Sequence, residues 1–261
     1  MKAVPYLSIN PVKPSMSTTP HLTKKILITG ASRGIGLSIA QRLASLGASI
    51  LLLSRTPDHL YTALRALPPH PTTPHTSITG TVSSPELWES IRRDHKDIDV
   101  LINAAGVSCN ALLLRTPQSA ITATLETNLL GSIYSSRAIG RNMVARRSGC
   151  IINISSVLGL HRHMAGTSVY AASKAAVVGL SRALAVELGG SGVRVNVITP
   201  GYVETDMTTG MTAAAREAAL GATPAGRFGT PEEVADAAVF LVGNGYVNGA
   251  EIVVDGGLGC T

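Results

Sequence analysis

Residues 25–36 read Lys25-Ile-Leu-Ile-Thr-Gly30-Ala-Ser-Arg-Gly34-Ile-Gly36, and this stretch decides the fold. Its first five residues are mostly apolar and stop at a glycine, which predicts a buried strand. Residues 37–46 carry an apolar helical period that ends before Gly47, so the chain reads strand, glycine turn, helix. Glycines at such a turn let the backbone approach a pyrophosphate, and the helix offers its first N–H groups to the anion.

Strand-like and helix-like segments alternate along the rest of the chain. Further strands are predicted over residues 48–54, 77–82, 99–103, 149–155, 193–199 and 251–255. Helices are predicted over residues 58–67, 85–96, 118–145, 168–189 and 231–242, and the aperiodic residues 202–228 are a candidate lid. This alternation predicts a single-domain α/β fold of the Rossmann type. It has a doubly wound parallel sheet of about seven strands, with helices on both faces and ligands at the carboxyl ends of the strands.

Composition fits one compact domain over residues 25–261. Of the 261 residues 45% are hydrophobic and 15% charged, and the net charge of +6 suits an acidic partner or a phosphorylated ligand. The basic residues form no long run and no nucleic-acid motif, and no uninterrupted apolar run reaches the length of a membrane span. Three widely spaced cysteines form no CxxC pair, which fits reduced thiols, and no histidine pattern predicts a metal site.

Residues 1–24 differ from the rest, because they contain four prolines, several Ser and Thr, and no acidic residue. They are expected to form a flexible tail. An acid-poor, Ser-rich composition is part of a mitochondrial transit signature, although arginine is missing and the prolines oppose an amphipathic helix. Import into the mitochondrial matrix and a tail on a cytoplasmic protein both stay open.

The end of the second predicted strand selects the cofactor. NAD binding favours an Asp or Glu there for the ribose hydroxyls, whereas NADP binding favours a basic residue for the 2′-phosphate. The chain reads Leu53-Ser54-Arg55-Thr56, without a carboxylate. Arg55, together with Arg33 in the glycine loop, suits planar phosphate contacts, so NADP(H) is predicted.

A second short stretch, Tyr170-Ala-Ala-Ser-Lys174, lies in a predicted helix. Residues four apart share one face of a helix, so the phenol and the ammonium are expected to point the same way. Tyrosine has a reference pKa of about 10, and a nearby positive charge lowers it toward the range in which general acid–base catalysis is efficient. The pair alone is weak evidence, since a surface helix also carries such residues.

As a set, six segments resemble the short-chain dehydrogenase/reductase family across residues 25–257. They are TGASRGIG at 29–36, NAAG at 103–106, TNLLGS at 127–132, NISSVLG at 153–159, YAASK at 170–174 and PGYVETDM at 200–207. Within the family, LLLRT at 112–116 and VVDGG at 253–257 most resemble the β-ketoacyl-acyl carrier protein reductases and their animal mitochondrial carbonyl reductase relatives.

The resemblance implies a role for each matching residue. Tyr170 would protonate the carbonyl oxygen, and Lys174 would lower the tyrosine pKa and bind the nicotinamide ribose. Ser156, preferred over Ser155, would hydrogen-bond the substrate oxygen, and Asn128 would hold a water that links Lys174 to solvent. Predicted cofactor contacts are Gly30, Ser32, Arg33, Gly34, Ile35, Gly36, Arg55, Thr56, Val82, Asn103, Ala104, Ala105, Gly106, Tyr170, Lys174, Val203 and Thr205.

Three features depart from the family pattern. The segment between Ser156 and Tyr170 is one residue longer, which is expected to bring His161 and His163 to the border of the substrate site. Thr81 stands where the family usually has an Asp near the adenine. In the family, docking of the carrier protein uses basic residues beside the active site. Arg146 and Arg147 fit one part of that basic patch, whereas residues 189–192 supply no charge.

The expected function is NADPH-dependent reduction of a 3-oxoacyl thioester, bound to acyl carrier protein, in fatty-acid biosynthesis. The family habit implies a homotetramer. Two alternatives stay open: an NADP-dependent reductase or dehydrogenase of a free ketone, quinone or secondary metabolite, and a non-catalytic cofactor-binding subunit of a mixed oligomer. The intact Asn, Ser, Tyr and Lys set argues against the second alternative.

Overall fold

The computed structural model of the protein describes residues 22–260. The predicted tail over residues 1–24, with its targeting signature, therefore lies outside the described residues except for its last three positions.

Seven parallel strands form one sheet in the order β3-β2-β1-β4-β5-β6-β7. The strands are β1 Lys25–Thr29, β2 Ser49–Ser54, β3 Thr76–Thr79, β4 Val100–Asn103, β5 Gly149–Ile154, β6 Val193–Pro200 and β7 Glu251–Val254. Every neighbouring pair is parallel, which confirms the predicted doubly wound sheet and its strand count.

Ten α-helices accompany the strands within the described residues. They are α1 Gly34–Ser45, α2 Pro57–Arg65, α3 Pro85–Asp94, α4 Gln118–Leu125, α5 Gly131–Arg146, α6 Val157–Leu160, α7 Ser168–Gly189, α8 Asp206–Thr209, α9 Ala213–Ala222 and α10 Pro231–Gly243. Two clusters of buried side chains fill the space between the helices and the sheet, one on each face. Ile26 and Ile28 of β1 belong to one cluster and Leu27 to the other, as the alternation of a strand requires.

Two predicted segments differ from the structure. The single helix expected over residues 118–145 is divided by a π-helical turn, Glu126–Leu130, which joins α4 to α5. A π turn adds one residue to a helix but changes the apolar pattern of the sequence too little to be recognised. Such turns are common at functional sites. Residues 202–228, expected to be irregular, contain the short helices α8 and α9.

Helix α7 is the one helix in the described part that is long and apolar enough, by length and composition, to cross a membrane. Part of its apolar surface is instead buried within the domain, since Val177 and Val178 pack with Val197 of β6. Its amino-terminal half carries the Tyr170–Lys174 stretch, so the packing of α7 fixes where these side chains lie.

Strand order reverses between β1 and β4. The chain runs outward from β1 through β2 to β3 and then returns to place β4 on the other side of β1. In open parallel sheets a crevice forms at this point, beyond the carboxyl ends of the strands. The fold therefore predicts the ligand site above β1 and β4, where the glycine turn begins.

Candidate active site

A cleft of about 650 Å³ lies at this edge of the sheet. It runs from the end of β2, across the glycine turn, to the first residues of α7. The predicted residues that line it are Gly30, Ser32, Arg33, Gly34, Ile35, Gly36, Arg55, Thr56, Val82, Ala104, Ala105, Gly106, Ser156, Tyr170, Lys174, Val203 and Thr205. Asn103 and Asn128 are absent from the lining.

Backbone contacts shape the cofactor end of the cleft. Gly30 has a φ of +64°, and a Cβ at this position would lie 2.6 Å from the Cα of Ala105. The hydroxyl of Thr29 accepts hydrogen bonds from the N–H groups of Ala104 and Ala105, both at 3.1 Å. The glycine turn and the segment after β4 therefore touch through their main chains, and at residue 30 a side chain would not fit.

The amino terminus of α1 offers an anion site. Gly34, Ile35 and Gly36 line the cleft, and Arg33 at the N-cap provides no side-chain cap. No acidic residue occupies the first turn. The free N–H groups and the positive end of the helix dipole fit the pyrophosphate of a dinucleotide.

Two arginines border the cleft near the end of β2, but they differ in their partners. Arg33 pairs with Asp206 at 3.3 Å, and both side chains are exposed. Arg55 is exposed and lines the cleft. Within residues 22–260 it forms no side-chain hydrogen bond or ion pair, so its guanidinium is free for a phosphate. Together with the amino terminus of α1, the Arg55 guanidinium makes the cleft fit NADP(H).

Asn103 does not reach the cleft, which corrects the prediction that it lines the adenosine side. Its side chain is buried; Nδ2 donates to Asn153 Oδ1 at 2.8 Å, and Oδ1 accepts from Ser135 Oγ at 2.8 Å. The amide therefore links β4, β5 and α5 below the floor of the cleft. Asn103 is the last residue of a buried strand, so the sequence pattern does not show to which side its side chain points. Nor does the sequence reveal these two partners.

Ser156 and Tyr170 meet at the substrate end. Ser156 caps α6, where its Oγ accepts from the N–H of Leu158 at 3.3 Å, and it lines the cleft together with Tyr170. The hydroxyl of Ser155 is directed elsewhere, because it donates to the carbonyl of Lys174 at 2.8 Å. Ser156, rather than Ser155, thus shares a small space with the phenol, where a carbonyl oxygen would fit.

Lys174 lies one helical turn beyond Tyr170, with its Nζ 5.8 Å from the centre of the tyrosine ring. The ammonium is buried and donates to the carbonyl of Ile154 at 2.8 Å. Burial lowers the pKa of Lys174 to about 8. Burial also raises the pKa of Tyr170, while the nearby Ser156 hydroxyl opposes the shift. The predicted lowering of the tyrosine pKa by Lys174 is wrong in direction, because desolvation of the phenol is the dominant effect.

Asn128 lies in the π turn, buried beside Lys174. Its Oδ1 accepts from the N–H of Val107 at 2.8 Å, and Nδ2 donates to Ser173 Oγ at 3.0 Å. A Cβ placed on Gly106 would lie 3.5 Å from Lys174 Nζ and 3.6 Å from Asn128 Oδ1. The structure therefore brings Asn128 close to Lys174, although its amide is not open to the cleft.

The extra loop residue does not place a histidine at the substrate. His161 lies outside the lining, and its Nε2 contacts Oε1 of Glu251 at 2.8 Å, on β7. His163 is exposed and also lies outside the lining. The substrate end is instead bordered by Ser108, Asn110 and Met207. Nothing in their local sequence marks these three residues, since they lie on loops and on a one-turn helix.

The basic pair Arg146 and Arg147 lies on the opposite edge of the sheet. Both precede β5, whereas Ser156 follows it, and six strand residues span about 20 Å. The Arg146 guanidinium donates to the carbonyls of Lys96 and Ile98, and Arg147 donates to the carbonyl of Gly190 at 3.1 Å. The expectation that this pair borders the mouth of the cleft is therefore wrong for this chain.

Sequence and structure comparisons agree with this geometry. A family model described as enoyl-(acyl carrier protein) reductase matches residues 30–259. The chain belongs to the short-chain dehydrogenase/reductase family, a family of oxidoreductases.

Among its relatives, the chain is 40% identical to carbonyl reductase family member 4 of Danio rerio, over 91% of this chain and 98% of the relative. It is 38% identical to a 3-oxoacyl-(acyl-carrier-protein) reductase of Chlamydia trachomatis, with the same coverage. A solved structure of a gluconate 5-dehydrogenase from Burkholderia cenocepacia, in complex with NADP and tartrate, has a TM-score of 0.85. That structure is 31% identical to this chain and covers 93% of it and 99% of its own length.

Proposed function

We propose that this protein catalyses the NADPH-dependent reduction of a 3-oxoacyl thioester, carried on acyl carrier protein, to the 3-hydroxyacyl thioester. The observation that carries the proposal is that Ser156, Tyr170 and buried Lys174 line the same cleft, with Lys174 one turn beyond Tyr170 on α7. Several relatives at 37–38% identity are described as 3-oxoacyl-(acyl-carrier-protein) reductases, which supports the choice of substrate.

The protein's own side chains handle the carbonyl oxygen. Bound NADPH supplies the hydride that adds to the carbonyl carbon. Ser156 hydrogen-bonds the carbonyl oxygen, and Tyr170 transfers its phenolic proton to the same oxygen. A pKa raised by burial keeps the phenol protonated at neutral pH, as a proton donor requires. Lys174, whose pKa is about 8, is mostly charged at pH 7 and stabilises the tyrosinate that this transfer leaves.

Arg55 and the start of α1 select NADP(H) in this proposal. The first-turn N–H groups of α1 bind the pyrophosphate, and the free Arg55 guanidinium binds the 2′-phosphate. Solved relatives described with bound NADP support the same cofactor.

Apolar side chains around the substrate end favour an acyl chain. Met207 lines the cleft, and Leu112 lies two positions beyond the lining residue Asn110; these two side chains and that of Met164 each expose about half of their surface. The segments that carry Leu112 and Met164 touch, because the N–H of Ala111 donates to the carbonyl of Gly166 at 2.9 Å. An alkyl chain would cover part of this surface, whereas a polyol would gain little from it.

A second candidate is the reduction of a free ketone or quinone. It is favoured by the position of Arg146 and Arg147, which lie at the far edge of the sheet rather than beside the cleft. It is also compatible with relatives described as carbonyl reductase family member 4. The non-catalytic alternative predicts no turnover of any carbonyl by the purified chain.

The test is NADPH oxidation by the purified full chain with acetoacetyl-acyl carrier protein, beside a panel of free ketones and quinones. We expect turnover of the carrier-bound thioester with kcat/KM at least about tenfold above that of the best free carbonyl. Turnover of free carbonyls with no preference for the carrier-bound substrate would select the second candidate. Absence of turnover with every carbonyl, while NADPH still binds, would overturn both.

We also propose a homotetramer in the mitochondrial matrix. The acid-poor residues 1–24 support import, and the partly exposed apolar residues near 253 suit a subunit contact. Light scattering of the purified chain tests the assembly, and a monomer would contradict it. Cell fractionation of the full chain tests the location, and a wholly cytosolic protein would contradict it.

A further inference from the structure

Lys174 is bonded at two of its atoms by two consecutive residues at the end of β5. Its Nζ donates to the carbonyl of Ile154 at 2.8 Å, and its main-chain carbonyl accepts from the hydroxyl of Ser155 at 2.8 Å. Both bonds are buried, and Ser155 is only 3% exposed. The next residue in the chain is Ser156, which lines the cleft. The hydroxyl of Ser155 therefore joins the neighbour of Ser156 directly to the helix that carries Tyr170.

Ser155 is itself fixed to the sheet, because its N–H donates to the carbonyl of Ile198 on β6 at 2.8 Å. Its hydroxyl thus connects the sheet to the main chain of α7. The bond from Lys174 Nζ to Ile154 is of another kind, since a flexible lysine side chain can turn to a different acceptor without moving the helix. A bond to the main-chain carbonyl of Lys174 holds the helix whatever Nζ contacts.

A second contact reaches the same turn of α7 from the other side of Ser156 in the chain. A Cβ on Gly159, in α6, would lie 2.9 Å from the main-chain nitrogen of Ala175 and 3.0 Å from the carbonyl carbon of Lys174. Helices α6 and α7 therefore approach each other main chain to main chain. Ser156 lies between the two contacts, and Tyr170 lies one turn before Lys174 on the same helix. The spacing of the two hydroxyls is set where β5 and α6 meet α7.

We propose that Ser155 is a positioning residue, whose hydroxyl holds α7 so that Ser156 and Tyr170 meet the same carbonyl oxygen. The role rests on the reduction proposed above. Without this hydroxyl, the packing of Gly159 and a lysine side chain remain at this turn of the helix, and neither replaces a directional bond to the main chain. A small displacement matters, because catalysis by positioned groups falls steeply when they are misplaced.

The test is Ser155→Ala in the full chain, with Ser181→Ala as the matched control. Ser181 is also buried between β5 and α7, where its Oγ accepts from Asn153 Nδ2 at 2.8 Å, but it lies seven positions, or about two turns, beyond Lys174. We expect Ser155→Ala to lower kcat for the acyl substrate about fivefold to tenfold, with its KM and the Kd for NADPH each changed less than about twofold. Ser181→Ala removes the acceptor of a buried amide, so it should lower stability to urea while kcat stays within about twofold of the wild type.

Carbon-13 NMR of the tyrosine rings gives a readout that needs no turnover. The Tyr170 resonance is assigned by its loss in Tyr170→Phe, and it senses Ser156, whose hydroxyl lies near enough to the phenol to oppose the rise of its pKa. In Ser155→Ala the Cζ resonance of Tyr170 should move in the same direction as in Ser156→Ala, whereas Ser181→Ala should leave it in place. If no carbonyl is reduced but this pattern is seen, the proposed function fails and the positioning role stands. An unmoved resonance or an unchanged kcat in Ser155→Ala, or an equal loss of kcat in Ser181→Ala, would overturn the proposal.

Discussion

The two ends of the cleft are built in different ways. At the cofactor end, main chain meets main chain, because a Cβ on residue 30 would lie only 2.6 Å from the Cα of Ala105. Beside the substrate end, loops are joined by side-chain contacts such as that of Tyr202 with Met164, and by the single backbone bond from Ala111 to Gly166. Backbone contacts tolerate little change, whereas side-chain contacts can be exchanged without moving the sheet.

This difference explains how one fold can serve several substrates. A gluconate 5-dehydrogenase shares the fold at a TM-score of 0.85 with 31% identity. We infer that the cofactor end keeps its geometry among such relatives, and that substrate choice changes in the loops. The predictions below test each end with substitutions matched in size or charge, in order of decreasing effect.

The largest effect is expected at the substrate end from Tyr170→Phe. This substitution removes the hydroxyl, which is the proton donor, but leaves the ring, so kcat for carbonyl reduction should fall at least about 1000-fold. The Kd for NADPH, measured by fluorescence titration, should change less than about threefold. Ser156→Ala is the companion variant: it keeps the donor and should lose less activity. A Tyr170→Phe enzyme that retains turnover would remove the phenol from the donor role.

At the cofactor end, the largest effect is expected on stability, from Gly30→Ala. Gly30 and Gly34 both have positive φ, +64° and +54°, but only at Gly30 would a methyl group meet backbone at 2.6 Å. At Gly34 the nearest atom is a methyl of Thr205 at 3.4 Å. Urea unfolding should show a loss of more than about 3 kcal/mol for Gly30→Ala and about 1–2 kcal/mol for Gly34→Ala. Equal losses would mean that φ strain alone, and not the backbone contact, defines this end.

Next in size is the effect of Arg55→Asp on cofactor choice. The unpaired guanidinium of Arg55 is expected to bind the 2′-phosphate, so reversing its charge should weaken NADPH binding about 100-fold and NADH binding less than about threefold. Arg33→Asp should weaken NADPH binding less, since the Arg33 guanidinium already pairs with Asp206. Equal losses for both cofactors in Arg55→Asp would show that Arg55 does not contact the phosphate.

The sequence predicted the cofactor end better than the substrate end, for a physical reason. Glycines at a strand–turn–helix junction reflect a local constraint, so residues 30–36 could be placed without knowing the rest of the chain. His161 was misplaced because its partner, Glu251, lies 90 positions away. The same holds for Asn103, whose side chain is fixed by Asn153 and Ser135. Long-range side-chain pairs leave no periodic signal.

The fold was predictable almost throughout, because most strands are apolar runs and most helices show a periodic apolar pattern, with the polar strand β3 as an exception. The π turn around Asn128 was missed since it changes the register of a helix without changing its composition. The error in the tyrosine pKa has a related origin. The i, i+4 spacing correctly predicted that Tyr170 and Lys174 are neighbours, but the degree of burial, which dominates both pKa values, depends on the packing of α7.

The smallest expected effect is on stability and concerns Lys174, which lies where the two ends of the cleft meet. Burial of its ammonium lowers the stability of the folded chain. Its pKa of about 8 in the folded chain lies below its ordinary value of 10.5. Between these two pH values the unfolded chain binds more protons than the folded chain, so the contribution of this group to stability rises with pH. From pH 7 to pH 9 the free energy of unfolding of the wild type should therefore rise by about 1 kcal/mol relative to that of Lys174→Met.

Urea unfolding of both proteins at the two pH values measures this difference, in which the other titrating groups cancel. Lys96→Met, at an exposed site, is the matched control. A wild type that gains nothing over Lys174→Met would mean that the contact of the ammonium with the carbonyl of Ile154 fully offsets the desolvation cost of burying it.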